Sequence, residues 1–147
     1  MPRVFITGLG FVTSIGNDAA TVTRNLRDLR HGFELYPPFQ KPDIPCKVVG
    51  TIKEFGVDST DPEDWTFPSR YKIKRELVRS MAPNVLFAHC AMLQAIEDAH
   101  LTEADISNPQ TGLYAASGGS PYLTHYHHER LLKVGVMRCS PLGIVAS

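Results

Sequence analysis

A chain of 147 residues is about one domain long and can bury a real core. Fifteen Lys and Arg residues balance fifteen Asp and Glu, so no overall field recruits nucleic acid or an anionic membrane surface. With 43% hydrophobic and 20% charged residues the composition is that of a soluble globular protein rather than a disordered one, and no apolar run approaches the length of a bilayer span.

Val4 to Val12 reads as a short buried strand that runs into a glycine-rich turn. Thr7-Gly8-Leu9-Gly10 opens like a dinucleotide-binding loop, whose three glycines each answer a steric need. The third place falls on Thr13, whose branched Cβ blocks close helix–strand packing, and no Lys-Ser/Thr pair follows, so the phosphate-loop pattern fails as well. Asn17 or Asp18 can cap the next helix, in which Val22, Leu26 and Leu29 follow i, i+4, i+7 spacing and which Gly32 can end. Pro37 to Pro45 is irregular and proline-rich, and Lys47 to Ile52 reads as a second short strand. Val57 to Ser69 is a polar loop rich in Asp and Pro that holds the only tryptophan, Trp65. Val85 to Ala99 is apolar nearly all round, which predicts a helix buried on several sides. Thr102-Glu103-Ala104-Asp105 forms a capping box. Thr111 to Ser117 reads as another buried strand, closed by Gly118-Gly119-Ser120-Pro121. Strands alternating with helices predict an α/β fold with a largely buried sheet.

Three cysteines, Cys46, Cys90 and Cys139, are odd in number and share no Cys-x-x-Cys spacing. They read as reduced thiols in a cytoplasmic chain, not as a disulfide framework or a zinc site. The apolar start is broken by Thr7, Gly8, Gly10, Thr13 and Ser14 and has no Ala-x-Ala pattern after it, so it is not read as a signal peptide. Cys139 has Arg138 beside it, and a neighbouring cation lowers a thiol pKa. No glycine-rich elbow or positioned histidine accompanies it, so it reads as a small half-buried residue. Cys90 is a core residue and Cys46 a strand-end filler. His125 and His128 could share a helix face, which is half of a metal site, but no further ligand pattern follows. The stretch His125-Tyr126-His127-His128 reads as a solvated face with Tyr126 and Leu131 turned inward, and no metal is expected. Arg70 to Arg79 carries five basic residues and one acidic one. It is either a solvated loop and helix start or a patch that attracts an acidic partner.

In register along the chain, several segments resemble β-ketoacyl-[acyl-carrier-protein] synthases. Val4-Phe5-Ile6-Thr7-Gly8-Leu9-Gly10, then Ser14-Ile15-Gly16-Asn17, Leu26 and Gly32 are similar to the family's opening V-x-I/V-T-G-x-G, S-P-x-G-N, leucine and glycine. Lys47 to Phe55 resembles the A-G-x-V-x-D-F segment, and Arg79-Ser80-Met81 with Ala95-Ile96-Glu97-Asp98-Ala99 resembles R-x-M-D…A-x-x-D-A. Thr111-Gly112 to Gly119 is similar to the strand closed by G-S-G-x-G, and Ser140-Pro141 to S-P-F-F. The departures are Ser14-Ile15 without the usual proline, a longer loop from Val57 to Arg75, and Leu142-Gly143 in place of an aromatic pair.

The resemblance implies a thiolase-like fold, layered α-β-α-β-α in the intact protein, with residues 1–147 forming most of its N-terminal half. It assigns the opening glycines to a tight strand-to-helix turn, with no phosphate involved. It implies decarboxylative condensation of an acyl thioester with malonyl-carrier, in fatty acid or polyketide synthesis, by a cysteine and two histidines expected beyond residue 147. No catalytic residue is then expected within this chain, and no cofactor. Gly118, Gly119, Ser120, Leu142 and Gly143 would line the far end of the acyl pocket, the last two reaching in from a dimer mate. Gly119 stands where relatives often carry a bulky apolar side chain and Gly143 where they often have an aromatic, and losing both would enlarge or reshape that pocket or remove its purpose. Arg75 and Arg79 would dock an acidic acyl carrier protein. The expected partners are that carrier, acyl and malonyl thioesters and a second copy of the chain, with no nucleic acid or membrane. Two alternatives stay open: a chain-length-factor-like partner subunit without catalysis, and a stand-alone binding or structural domain.

Overall fold

The first helix begins where the sequence offers a cap. In the computed structural model, which describes residues 3–118 and 121–135, Asp18 accepts a hydrogen bond from the Thr21 N–H at 2.7 Å and starts α1, Ala19–Arg27. An extended cap residue whose side chain takes up an otherwise unpaired N–H is the usual way to start a helix. The helix ends at Arg27, before Gly32. Leu29, at φ 54°, donates to the Leu26 carbonyl and Arg30 donates to the Asn25 carbonyl, a left-handed cap made without glycine. Of the predicted apolar stripe only Val22 is buried; Leu26 and Leu29 are exposed.

β1, Phe33–Leu35, pairs antiparallel with β2, Val48–Gly50, with Glu34 opposite Val49. Between them Pro37–Phe39 forms one 3-10 turn, on which Tyr36 and Phe39 meet edge to face at 5.0 Å. β2 falls inside the predicted strand, while its partner gave no sequence signal. Gly32 serves this hairpin by close approach: a Cβ there would lie 2.4 Å from the Ser14 carbonyl oxygen.

Then α2, Arg75–Val78, precedes the long α3, Pro83–Asp98, followed by α4, Glu103–Ile106, and α5, Pro121–Val134. The predicted box is formed at α4, where Asp105 accepts from both the backbone N–H and the hydroxyl of Thr102. These two bonds hold the Asp105 carboxyl below its usual range. α3 ends as α1 does, with His100 at φ 54° donating to Glu97 and Leu101 donating to Ile96.

Two compact units result. The first comprises the chain up to Lys53 with Ala91–Leu101; the second comprises Glu54–Cys90 with the chain from Thr102 onward. In the first unit, residues 7–12 lie against the C-terminal part of α3. A Cβ on Gly8 would lie 2.2 Å from the Ala95 carbonyl oxygen, and one on Gly10 would lie 1.8 Å from that of Ala91. Neither glycine has the positive φ of a turn; Gly16, at φ 155°, does. The opening glycines therefore serve contact with a helix rather than a turn. The N–H of Leu9 donates to Asp98 and that of Phe11 to Gln94, while Gln94 Nε2 donates to the carbonyls of Phe11 and Asn17. α3 is thus not apolar all round: Gln94 and Asp98 form a polar stripe that takes up backbone groups of the segment.

Val4 to Val12 is not a buried strand. Among the described residues nothing pairs with it as a ladder, and Val4, Phe5 and Ile6 are exposed. Thr111 to Ser117 likewise forms no strand, and Tyr114 is 97% exposed. Apolar composition favours a strand only where a second strand supplies hydrogen bonds and cover. The described sheet is the small hairpin, exposed along β1, in place of the largely buried sheet the alternation predicted. The chain is mixed α and β. No helix among the described residues is long and apolar enough to cross a membrane.

The second unit has the denser apolar centre. Trp65, Tyr71, Val78, Ala82, Leu86 and Cys90 are buried, and Phe55 meets Phe87 edge to face at 5.4 Å.

Candidate functional site

The loop predicted as merely polar is ordered by its own chemistry. Gly56 and Thr66 exchange two backbone hydrogen bonds, of 2.9 and 3.0 Å, and close its base. Asp61, followed by Pro62, caps a 3-10 turn over Pro62–Asp64 and accepts from the Glu63 N–H at 2.9 Å. Ser59 donates to Asp64 at 2.8 Å and accepts from the Asp61 N–H at 3.1 Å. Trp65 then turns inward: it is 1% exposed, and its indole N–H donates to the Ser59 carbonyl at 2.7 Å. A buried indole is satisfied only if its one donor finds an acceptor, and this turn supplies it.

α2 sets the basic residues beside this loop. Val78 is fully buried and anchors the helix, so Arg75 and Arg79, one turn apart, extend together toward the turn at 61–65. Arg75 donates to the Trp65 carbonyl at 3.3 Å, makes a longer 3.5 Å contact to that of Glu63, and sits 5.9 Å from the centre of the Phe67 ring. Arg79 Nη2 lies 2.7 Å from the Glu63 carboxylate. Arg70 lies over the Tyr71 ring at 5.0 Å. Lys72 and Lys74 are exposed and form no ion pair among the described residues. The arrangement is a cationic rim in which Arg75 and Arg79 are already engaged by the protein's own turn. Glu63 and Phe67 had no place in the sequence reading, although Asp61-Pro62-Glu63-Asp64-Trp65 carries the cap-then-proline signal of a helical start.

Of the predicted pocket residues only Gly118 lies within the described residues, among which a Cβ on it would meet no heavy atom within 4 Å; Gly119, Ser120, Leu142 and Gly143 lie outside them, as do Cys139 and Ser140-Pro141. Cys90 is core, as expected; burial pushes its thiol up to about 11, with the Arg70 charge opposing. Cys46 sits just before β2 with its Sγ 3.5 Å from the Val48 carbonyl, but it is exposed, so it fills nothing. On α5, His125 and His128 are exposed while Tyr126 and Leu131 are half-buried, which matches the solvated-face reading. His125 and Lys133 each lie 3.3 Å from Glu129, and these partners hold its carboxyl below the usual range, Lys133 most strongly. Burial, then repulsion from Arg130, pulls the His127 imidazole down. Among the described residues no cluster of His, Cys, Asp and Glu could hold a metal ion.

The family model described as beta-ketoacyl synthase, N-terminal domain, matches residues 1–145. The chain belongs to that family. It is 34% identical over 146 residues to "3-oxoacyl-[acyl-carrier-protein] synthase 1" of Haemophilus influenzae, covering 99% of this chain and 31% of the relative. It is 38% identical over 120 residues to the Escherichia coli K12 protein of the same name, covering 81% and 26%. It is 33% identical over 143 residues to "3-oxoacyl-[acyl-carrier-protein] synthase 2" of Synechocystis, covering 97% and 32%. The chain thus spans about a third or less of the length of these relatives.

Proposed function

We propose that this chain is the N-terminal part of a 3-oxoacyl-[acyl-carrier-protein] synthase, an acyltransferase of fatty acid or polyketide synthesis. The observation that carries the reading is the match of residues 1–145 to the synthase N-terminal domain, together with relatives that all bear synthase names. Those names favour a synthase over a silent partner subunit or a stand-alone binding domain. In the reaction an acyl group passes from a thioester to an enzyme cysteine. Malonyl-carrier loses carbon dioxide, and the carbanion left behind attacks the acyl carbon, displacing the cysteine thiolate and forming 3-oxoacyl-carrier. Backbone N–H donors stabilise the oxyanions on the way. The cysteine and two histidines belong to the part of the protein beyond residue 147. The intact protein is a layered thiolase-type homodimer in the cytoplasm. The exposed Leu113 and Tyr114, in a segment of family-like sequence, support further chain covering them.

Within this chain the proposed work is recognition. Arg75 and Arg79 face the acyl carrier protein, and Gly118, Gly119, Ser120, Leu142 and Gly143 line the acyl pocket. Arg79 is the cleaner docking residue because it meets the turn through one exposed ion pair, whereas Arg75 also braces the Trp65 carbonyl. The test uses the intact protein with acyl-carrier and malonyl-carrier, following 3-oxoacyl product and carbon dioxide. Absence of both products overturns the synthase reading. Arg79→Glu should raise the apparent KM for carrier-bound substrate roughly ten-fold at low ionic strength, far more than for a small thioester, and salt should erase the difference. Equal losses on both substrates would remove Arg79 from docking.

A further inference from the structure

The turn at 61–64 spends its acidic side chains unequally. Asp61 caps the turn and Asp64 is bound by Ser59, so both are committed to the loop's own backbone and hydroxyl. Glu63 alone reaches α2, where its carboxylate lies 2.7 Å from Arg79. Both side chains of this pair are 59% exposed. Exposed pairs of this kind are weak, so an outside carboxylate can take the place of the inner one with little loss. The turn is also fixed by the closed base at Gly56 and Thr66 and by buried Trp65, so Glu63 stays beside Arg79 rather than drifting away.

We infer that Glu63 is a built-in competitor for the acidic partner: it occupies Arg79 in the free protein and must be displaced when the partner's carboxylates arrive. This rests on the docking reading above. The device lowers affinity for any weakly acidic surface, while a partner that brings several carboxylates to Arg79, Lys72 and Lys74 together still displaces one glutamate. Glu63 is in this sense a specificity-determining residue, and it acts through Arg79.

The test measures the association rate of a holo acyl carrier protein with the intact protein by stopped flow, at low and high salt. The variants are Glu63→Gln, Glu63→Ala, Asp58→Asn, Arg79→Gln and the Glu63→Gln/Arg79→Gln pair. Glu63→Gln should speed association about two- to five-fold at low salt, the range an exposed ion pair supports. Glu63→Ala should do the same without leaving an amide beside Arg79. The gain should vanish in the Arg79→Gln background and at high salt. Asp58→Asn removes the same charge from the same loop at an exposed residue that forms no ion pair among the described residues, and should give less than half the gain. An equal gain from Asp58→Asn, or one that survives Arg79→Gln, overturns the competitor role. If Arg79→Gln slows association while both Glu63 variants leave it unchanged, the competitor role alone fails. If Arg79→Gln associates like the wild type, the docking reading fails and takes the competitor role with it.

Discussion

The two units hold themselves together by opposite means. In the first, the segment through Gly8 and Gly10 lies on α3 because side chains are absent, and Gln94 and Asp98 supply the polar contacts that keep its backbone satisfied. In the second, large side chains do the work: Trp65, Val78, Leu86 and Cys90 are all at most 1% exposed. The first arrangement is intolerant of added atoms and the second of removed ones. That asymmetry predicts the sign of damage at each place before any size is considered.

The largest expected effect is in the second unit. Trp65→Ala removes the largest buried side chain and leaves the Ser59 carbonyl without its indole donor, so the intact protein should lose about 3–5 kcal/mol in denaturant unfolding. Gly10→Ala tests the first unit by addition. With the Ala91 carbonyl oxygen 1.8 Å from the new methyl, it should cost about 1–3 kcal/mol, at the upper end. Gly118→Ala, which meets nothing among the described residues, should stay within about 0.5 kcal/mol; similar losses for the two would break the comparison. Next comes pH. Cys90 keeps its proton more tightly folded than unfolded, its thiol standing at about 11 against the ordinary 9.0. The stability this contributes is present below pH 9 and is lost as pH rises through about 11, so unfolding at pH 8, 10 and 11 should show a decline confined to the alkaline side. In the same range exposed Cys46 should react with iodoacetamide well before Cys90. The smallest loss expected is that of Asp18→Ala, which removes the α1 cap at a cost of about 1 kcal/mol, above only the near-neutral Gly118→Ala, and is read as a lower unfolding midpoint.

What the sequence made legible was local. A cap at Asn17 or Asp18, the Thr102–Asp105 box and the long run of α3 announce themselves within a few residues, because caps and helical hydrogen bonds close over short spans. What it concealed was pairing. Val4 to Val12 and Thr111 to Ser117 have the composition of strands, yet strand formation depends on a neighbour elsewhere in the chain. β1 went unseen for the converse reason: three residues, Phe33–Leu35, carry too little pattern to stand out from their loop. At the candidate site the cations Arg75 and Arg79 were legible as a charge run, whereas Glu63 and the Trp65 carbonyl that engage them were not, since a turn must fold before it can present them.

The stacking of Gly8 and Gly10 on α3 also works as a vernier. Two residues of extended chain advance roughly 6.6 Å, and four residues of helix advance about 6.0 Å. Gly8 therefore falls at Ala95 and Gly10 at Ala91, while Leu9 and Phe11, between and beyond them, meet Asp98 and Gln94 with their N–H groups. Two scales of different pitch coincide at one setting only. Sliding the segment by a single residue would press Leu9 or Phe11 onto the alanine ridge and turn the glycines to the amide and carboxylate. Residues 8–11 thus carry a length standard cut to the helix. Point changes elsewhere on their outer side leave the setting intact, but insertion or deletion of one residue between Gly8 and Gly10, or between Ala91 and Ala95, destroys it.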